Sequence, residues 1–342
     1  MTTAAVSAPP DSIDVGIPWH YGDTHAEQRA LLAGTAAVDI SNRGVVTVAG
    51  PDRLTWLDDL GTQRVRDLQP GASALTLILS PHGHVEHELH LIDDGDITWL
   101  VTQPGTSSAL VDHLRSMQFL LRVEVADRSA DFGVVWEPTY ATDNSLPTWL
   151  VPTDFAGTGH VDAGSDRGGD ASKYVAVRPG AFAGREVVVP REGIDARLAE
   201  HDRAGSWALE SLRVAAAVPR LGLDTDHRTL PHEVGWIGPA VHLAKGCYRG
   251  QEAVTRVHNL GHPPRRLALL HLDGSEGVLP VHGDVIEVDG REVGLIGTPA
   301  RHFELGPIAT GMLKRNVPVD AVLSVRTDGD EVTATQEVVV TP

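Results

Sequence analysis

The sequence predicts a mixed α+β fold followed by a small C-terminal β-barrel, and three observations predict it. Over residues 1–262, helix-period and strand-period segments follow one another without the regular βαβ repetition of a doubly wound parallel sheet. After Pro263-Pro264 the pattern becomes a series of short strand-like runs at 267–272, 285–288, 292–296, 308–313, 322–326 and 336–340. Asp289-Gly290 and Asp328-Gly329 punctuate these runs with the residues that tight hairpin turns demand, which points to a separate barrel. Residues 141–172 are polar and rich in glycine, so they read as a long loop or insert. The expected division is a module over 1–262, with its insert at 141–172, and a barrel over 263–342.

Taken in order, residues 1–18 read as a loose arm, and 23–33 as a helix capped by Asp23 or Thr24. A β-branched strand is expected over 44–49. Gly50-Pro51-Asp52 then opens a helix, because Leu54, Trp56, Leu57 and Leu60 recur at helical spacing and Pro51 suits a first turn. Residues 75–79 form an apolar strand, 81–84 turn the chain, and 85–92 alternate. Val85, His87, Leu89 and Leu91 share one face, expected to point inward. His84, Glu86, Glu88 and His90 share the other, expected to be solvated. Further elements are a strand at 97–102, a helix at 107–117 and a strand at 120–126. Order resumes at 174–177, and a helix over 206–218 is capped by Ser206 and stopped by Pro219.

Composition limits the function. Lys and Arg number 28 against 46 Asp and Glu, a formal charge of −18, which disfavours nucleic acid and anionic membranes as partners. Residues 1–10 lack a basic start followed by an apolar run, and no segment has the roughly 18 apolar residues of a membrane span. A cytoplasmic protein is expected. Cys247 is the single cysteine, so no intrachain disulfide forms, and one thiolate cannot hold an iron–sulfur cluster alone.

The densest chemical signal is Lys245-Gly246-Cys247-Tyr248-Arg249-Gly250-Gln251-Glu252. Two cations flank the thiol and favour its thiolate; the glycines permit a tight turn or a close approach; Gln251 and Glu252 add hydrogen-bonding groups. The competing reading is an inert buried cysteine.

This octapeptide resembles the signature of the YgfZ family of folate-binding, iron–sulfur-cluster maintenance proteins, within the glycine-cleavage T-protein superfamily. Further likenesses run through most of the chain. They include Asp39-Ile40-Ser41-Asn42-Arg43-Gly44 and Val48-Ala49-Gly50-Pro51-Asp52 near the start. Leu212-Arg213 with Pro219, Gly222, Asp224, Pro231 and Glu233 resembles the approach to the signature. Arg265-Arg266-Leu267 and Gly306-Pro307-Ile308-Ala309 resemble barrel strands. The resemblance implies two interleaved ferredoxin-like T-protein-type units before the barrel, and a central cleft for tetrahydrofolate or a one-carbon derivative, bordered by the signature loop. It also implies a functional Cys247, with client iron–sulfur proteins or assembly factors as partners.

Tetrahydrofolate sets physical requirements. Its aminopyrimidine edge suits a carboxylate, its ring an aromatic slot, and its glutamate tail a guanidinium. Glu210 and Arg213 share one face of the 206–218 helix and are candidate contacts, although such a pair also reads as an ordinary salt bridge. Trp207 is a candidate ring contact or a core residue. His87 is a candidate cleft donor or a satisfied core histidine. His84, Glu86, Glu88 and His90 offer metal-ligand chemistry, but parallel side chains on one strand do not close on one ion, so no metal is assigned.

Departures from T-proteins touch the chemistry. His87-Glu88 stands where their acidic doublet follows two glycines, the T-G-E run expected near Arg178-Pro179-Gly180-Ala181-Phe182 is absent, and Ala215 stands where a Glu is expected. Aminomethyl transfer is therefore in doubt while the cleft stays plausible. Rival readings are a folate-dependent one-carbon transferase or demethylase, a non-catalytic folate-binding scaffold, and a metal enzyme built on the 82–90 histidines.

Overall fold

The computed structural model describes residues 4–142, 145–155, 182–275 and 277–340. The strand expected at 174–177 and most of the insert at 141–172 lie outside the described residues. The arm is pinned by a two-residue pairing of β1 (Val6–Ser7) with β2 (Pro18–His20). Helix α1 (Thr24–Leu32) is capped by Asp23, whose carboxylate accepts from the N–H groups of His25 and Ala26 at 3.1 and 2.9 Å.

Two five-stranded sheets follow, one nested in the other. The nested sheet contains β4 (Gly44–Ala49), β5 (Ser73–Leu79), β6 (Val85–Asp93), β7 (Ile97–Thr102) and β8 (Glu124–Asp127). Its order is β5-β6-β7-β4-β8. Helices α2 (Arg53–Leu60) and α3 (Ser107–Ser116) connect its strands as in a ferredoxin-like unit, with β5 added at the edge. The other sheet contains β3 (Ala36–Asp39), β9 (Phe132–Glu137), β10 (Thr148–Leu150), β11 (Arg185–Pro190) and β12 (Asp202–Ala204), ordered β10-β11-β9-β3-β12. The whole nested sheet is inserted between β3 and β9. Strand β10 lies inside the stretch expected to be a loop; Trp149 is buried there and draws the short strand onto β11.

Helix α4 (Ile194–Leu198) precedes β12, and α5 (Ser206–Ala215) follows it. Gly205, not Ser206, occupies the N-cap of α5, and the helix ends at Ala215, before the expected stop. Helix α6 (Gln251–Leu260), a stretch for which no helix is expected from the sequence, leads to the barrel. Strands β13 (Arg265–Leu272), β14 (Val285–Val288), β15 (Arg291–His302), β16 (Gly306–Lys314), β17 (Leu323–Thr327) and β18 (Asp330–Val338) close in the order β13-β16-β15-β14-β17-β18. Both expected hairpin turns are present, with positive φ at Asp289, Gly290, Asp328 and Gly329 as a two-residue turn of this kind requires.

One apolar cluster joins the inner faces of both sheets, α5 and the outside of the barrel, through Leu77, Val188, Leu212, Leu267 and Ala300. A second fills the space between the nested sheet and α2 and α3, and a third fills the barrel. Both faces of the nested sheet are therefore covered.

Candidate functional site

Because α5 is buried along nearly its whole length, its charged residues cannot reach water and must be matched inside the protein. Arg213 donates to the Glu210 carboxylate at 2.8 to 3.1 Å, to Asp224 at 2.6 Å and to Thr298 of the barrel at 2.7 Å. Asp224 also accepts from Thr298 at 2.8 Å, from Thr310, and from the backbone N–H of Arg220 at 2.9 Å. The guanidinium of Arg220 donates to Asp14 at 2.7 and 3.1 Å and to Gln103 at 2.9 Å, and lies 3.1 Å from Glu210. Gln103 in turn donates to Glu88 at 3.2 Å, and the N–H of Leu221 donates to the same carboxylate at 3.1 Å. His90 stands 3.7 Å from Glu88 and 2.7 Å from Glu186, which Arg43 approaches at 3.3 Å. A chain of polar contacts thus runs from one sheet through the other to the barrel.

Electrostatics follow from that pairing. Burial alone raises the Glu210 carboxyl, but the guanidiniums of Arg213 and Arg220 outweigh it and hold Glu210 well below the usual range. Burial opposes charge on His90, and the Glu186 carboxylate overcomes it and raises the imidazole. Glu88 and Glu186 are both held low despite burial, with His90 a shared cause.

Glu88, His90, Glu186, Glu210, Arg213 and Arg220 of this chain line a central cavity together with the rings of Trp136, Trp149, Phe155 and Phe182. The free space between them is about 40 Å³. Two donors on the wall, the indole N–H of Trp136 and Nε of Arg43, are buried without a hydrogen-bond partner among the described residues. The arrangement offers carboxylates and guanidiniums facing aromatic rings, the chemistry of a flat, polar-edged ligand.

Of the residues singled out in the sequence, Glu210 and Arg213 are on this wall; His87 and Trp207 are not. Trp207 is half-buried and stacks on Trp19, with centroids 5.5 Å apart. His87 lies on the other face of β6, its ring 5.9 Å from that of His113 on α3, and burial lowers it to about 4. His87, Leu89 and Leu91 are buried as expected, but on the α2 and α3 side of the nested sheet and away from this cavity. Glu88 and His90, expected in solvent, are 5% and 6% exposed and face the cavity. A β-bulge explains part of this: Leu79 pairs with Val85 but Ile78 with His87, so Val85 leaves the face of His87, Leu89 and Leu91. Sequence reasoning also missed His90, Glu186, Gln103 and Arg220 as members of this wall, and Asp14 as the partner behind Arg220. A buried sheet with polar residues on its inner face was the only available signal.

The octapeptide forms a separate surface feature, and none of residues 245–252 lines the central cavity. Lys245 is 8% exposed. Its ammonium donates to the carbonyl oxygens of Asp58, Gly61 and Gln63 at the C-terminal end of α2, where the helix dipole favours a cation. Burial outweighs the attraction of Asp58 and lowers Lys245 to about 8. Tyr248 is buried beneath that ammonium, 5.4 Å from ring centroid to Nζ. Gly250 has φ +82°, and a Cβ there meets the Ser80 carbonyl oxygen at 2.6 Å, so the loop is tight against the turn before β6. Gly246 has open space around it. Between these fixed points, Cys247 is exposed. Arg249 is exposed, 3.4 Å from Glu86, and Glu252 is exposed in the first turn of α6. Gln251 donates toward the Lys245 carbonyl at 3.4 Å. The expected use of Lys245 beside the thiol is corrected: that charge is engaged by α2. Among the described residues no group of three His, Cys, Asp or Glu stands together as a metal-ligand set.

The fold is a mixed α+β arrangement followed by a closed six-stranded C-terminal barrel. Residues 12–135 match the GCVT N-terminal domain. The chain is 24% identical over 303 residues to an aminomethyltransferase of Geobacillus kaustophilus, covering 82% of this chain and 79% of that protein. It is 25% identical over 267 residues to an aminomethyltransferase of Mycobacterium leprae, covering 73% and 70%. Its fold matches the glycine cleavage system aminomethyltransferase T of Bartonella henselae with a TM-score of 0.75 at 17% identity, over 99% of this chain and 94% of that one. These likenesses support the glycine-cleavage T-protein superfamily. No helix among the described residues is long and apolar enough to cross a membrane.

Proposed function

We propose that the protein binds tetrahydrofolate, or a one-carbon derivative, in the central cavity, and that it supports assembly or repair of iron–sulfur enzymes through Cys247, as a YgfZ-type protein of the cytoplasm. Residues 1–262 serve as the folate module and 263–342 as the barrel against it. The observation that carries the reading is the exposure of Cys247 in an octapeptide that resembles the YgfZ signature. An inert cysteine is ordinarily buried; here the chain fixes the loop at Lys245 and Gly250 and leaves the thiol outside.

The donor set of the cavity fits a reduced folate. Glu88 and Glu210 suit the aminopyrimidine edge, the aromatic wall suits the ring, and Arg43 with the Trp136 N–H supplies unmatched donors. A ligand pocket is ordinarily about 300–1,000 Å³, so the 40 Å³ space must widen by movement of its lining side chains. The folate, when bound, supplies the one-carbon chemistry; the protein's own groups orient it and exclude water.

A second reading, a folate-dependent aminomethyl or other one-carbon transferase, draws support from Glu88. This member of the altered doublet is on the cavity wall, while its neighbour His87 faces away. A Cys247→Ser variant separates the two readings. Under the first, the variant binds tetrahydrofolate like the native protein but fails to restore iron–sulfur enzyme activity in cells lacking the protein. Full restoration removes the thiol from the function and leaves the scaffold or transferase reading; turnover of a folate adduct with an amine then selects the transferase.

A further inference from the structure

The polar chain of the central cavity has more negative than positive groups. Asp14, Glu88, Glu186, Glu210 and Asp224 bring five carboxylates, whereas Arg43, Arg213 and Arg220 bring three guanidiniums. All of these carboxylates are buried, so an unmatched charge among them is costly. His90 is the member of that chain whose proton can change the balance near neutral pH.

We propose that His90 is a positioning residue of the folate site, whose imidazolium, held by Glu186 and stacked on Trp149, fixes the Glu88 carboxylate at the cavity wall and sets the charge a bound pterin meets. The proposal rests on the folate reading above and deepens it. Three contacts determine the ring. Nδ1 is 2.7 Å from the Glu186 carboxylate of β11, a charge-assisted hydrogen-bond distance. The indole of Trp149 on β10 lies parallel at 3.7 Å between centroids, which sets the ring plane. Nε2 is 3.7 Å from Glu88, an ion-pair separation longer than a direct hydrogen bond. Arg43 opposes the proton but is itself turned to Glu186, and Arg220 and Arg213 lie on the same cavity wall, turned to other carboxylates. Geometry thus puts a carboxylate at each ring nitrogen, and the raised pKa of His90 agrees in direction with that placement. Loss of this positive charge leaves the Glu88 carboxylate without its imidazolium neighbour on the wall that meets the pterin, so it weakens binding.

The test uses the full chain. Nitrogen NMR of labelled histidines in the ligand-free protein is expected to show one imidazole still protonated above about pH 7; its signal disappears in His90→Gln and titrates lower in Glu186→Gln. Tetrahydrofolate titrations then compare native protein with His90→Phe, which keeps a ring to stack on Trp149 but has no N–H. Native affinity is expected to fall about tenfold from about pH 6.5 to about pH 9. His90→Phe is expected to be about tenfold weaker at the lower pH and flat between the two. Native affinity and an unaltered pH profile in His90→Phe, or a His90 that is neutral at pH 7, overturn the positioning role alone. Absence of tetrahydrofolate binding by the native protein overturns the folate reading and the positioning role with it.

Discussion

Arg213 in the central cavity and Lys245 in the octapeptide are both buried cations, 4% and 8% exposed, yet their surroundings differ. Arg213 meets two carboxylates, and their attraction outweighs burial and raises its pKa. Lys245 meets the carbonyl end of α2, with Asp58 at 3.8 Å, and burial wins. The first arrangement builds a cavity wall from mutually held charges. The second uses one charge to fasten a loop, so that the turn bearing Cys247 is displayed at the surface. Under the proposed function the two regions divide the work: the cavity is the part assigned to the ligand, and the loop is the part assigned to the thiol.

The largest expected contrast is in stability. Arg220→Met leaves Asp14 and Glu210 short of a buried partner and is expected to cost about 3–5 kcal/mol in urea unfolding. Glu252→Ala on the exposed side of the loop is expected to stay within about 0.5 kcal/mol. Equal losses in the two variants would remove the contrast.

Two histidines of β6 sharpen it through pH. His87, buried and lowered to about 4, remains neutral in the fold while the unfolded chain takes up a proton below its ordinary value of 6.5. Its contribution is full above pH 6.5 and is lost as pH falls toward 4, by roughly 3 kcal/mol. His90 has the opposite sign: its raised pKa gives stability that is full below pH 6.5 and is lost as pH rises through the folded value. Urea midpoints measured against pH should decline on both sides; His87→Phe should shrink the acid limb, to which His232 and the buried carboxylates also contribute, and leave the alkaline one.

Lys245→Met removes the ammonium from three carbonyls and is expected to cost about 2–3 kcal/mol. It should also make residues 245–252 newly susceptible to limited proteolysis; an unchanged cleavage pattern argues against a fastening role. The smallest pair concerns the loop glycines. Gly250→Ala, at positive φ and against the Ser80 carbonyl, is expected to cost upwards of about 1 kcal/mol, and Gly246→Ala under about 0.5 kcal/mol, in thermal melts.

Much of this was legible in sequence because it is local. The barrel announced itself through short strands and two Asp-Gly turns, and Glu210 with Arg213 through helical spacing. The cavity was harder to read. Its members come from distant positions, as with Arg220 and Asp14, which are 206 residues apart. The inner face of β6 was taken for solvent because alternation identifies two faces without saying what covers each; the second sheet and α5 supply that cover. The bulge near Val85 then disturbs the alternation itself. Cys247 was found by its motif, but that Lys245 turns to α2 required the fold.

Calorimetric titration with tetrahydrofolate of the native chain, Glu88→Gln and Cys247→Ser tests the division of labour most directly. The account predicts binding by the native chain, affinity at least about tenfold weaker in Glu88→Gln, and native affinity in Cys247→Ser. Native affinity in Glu88→Gln, or loss of binding in Cys247→Ser, would contradict it.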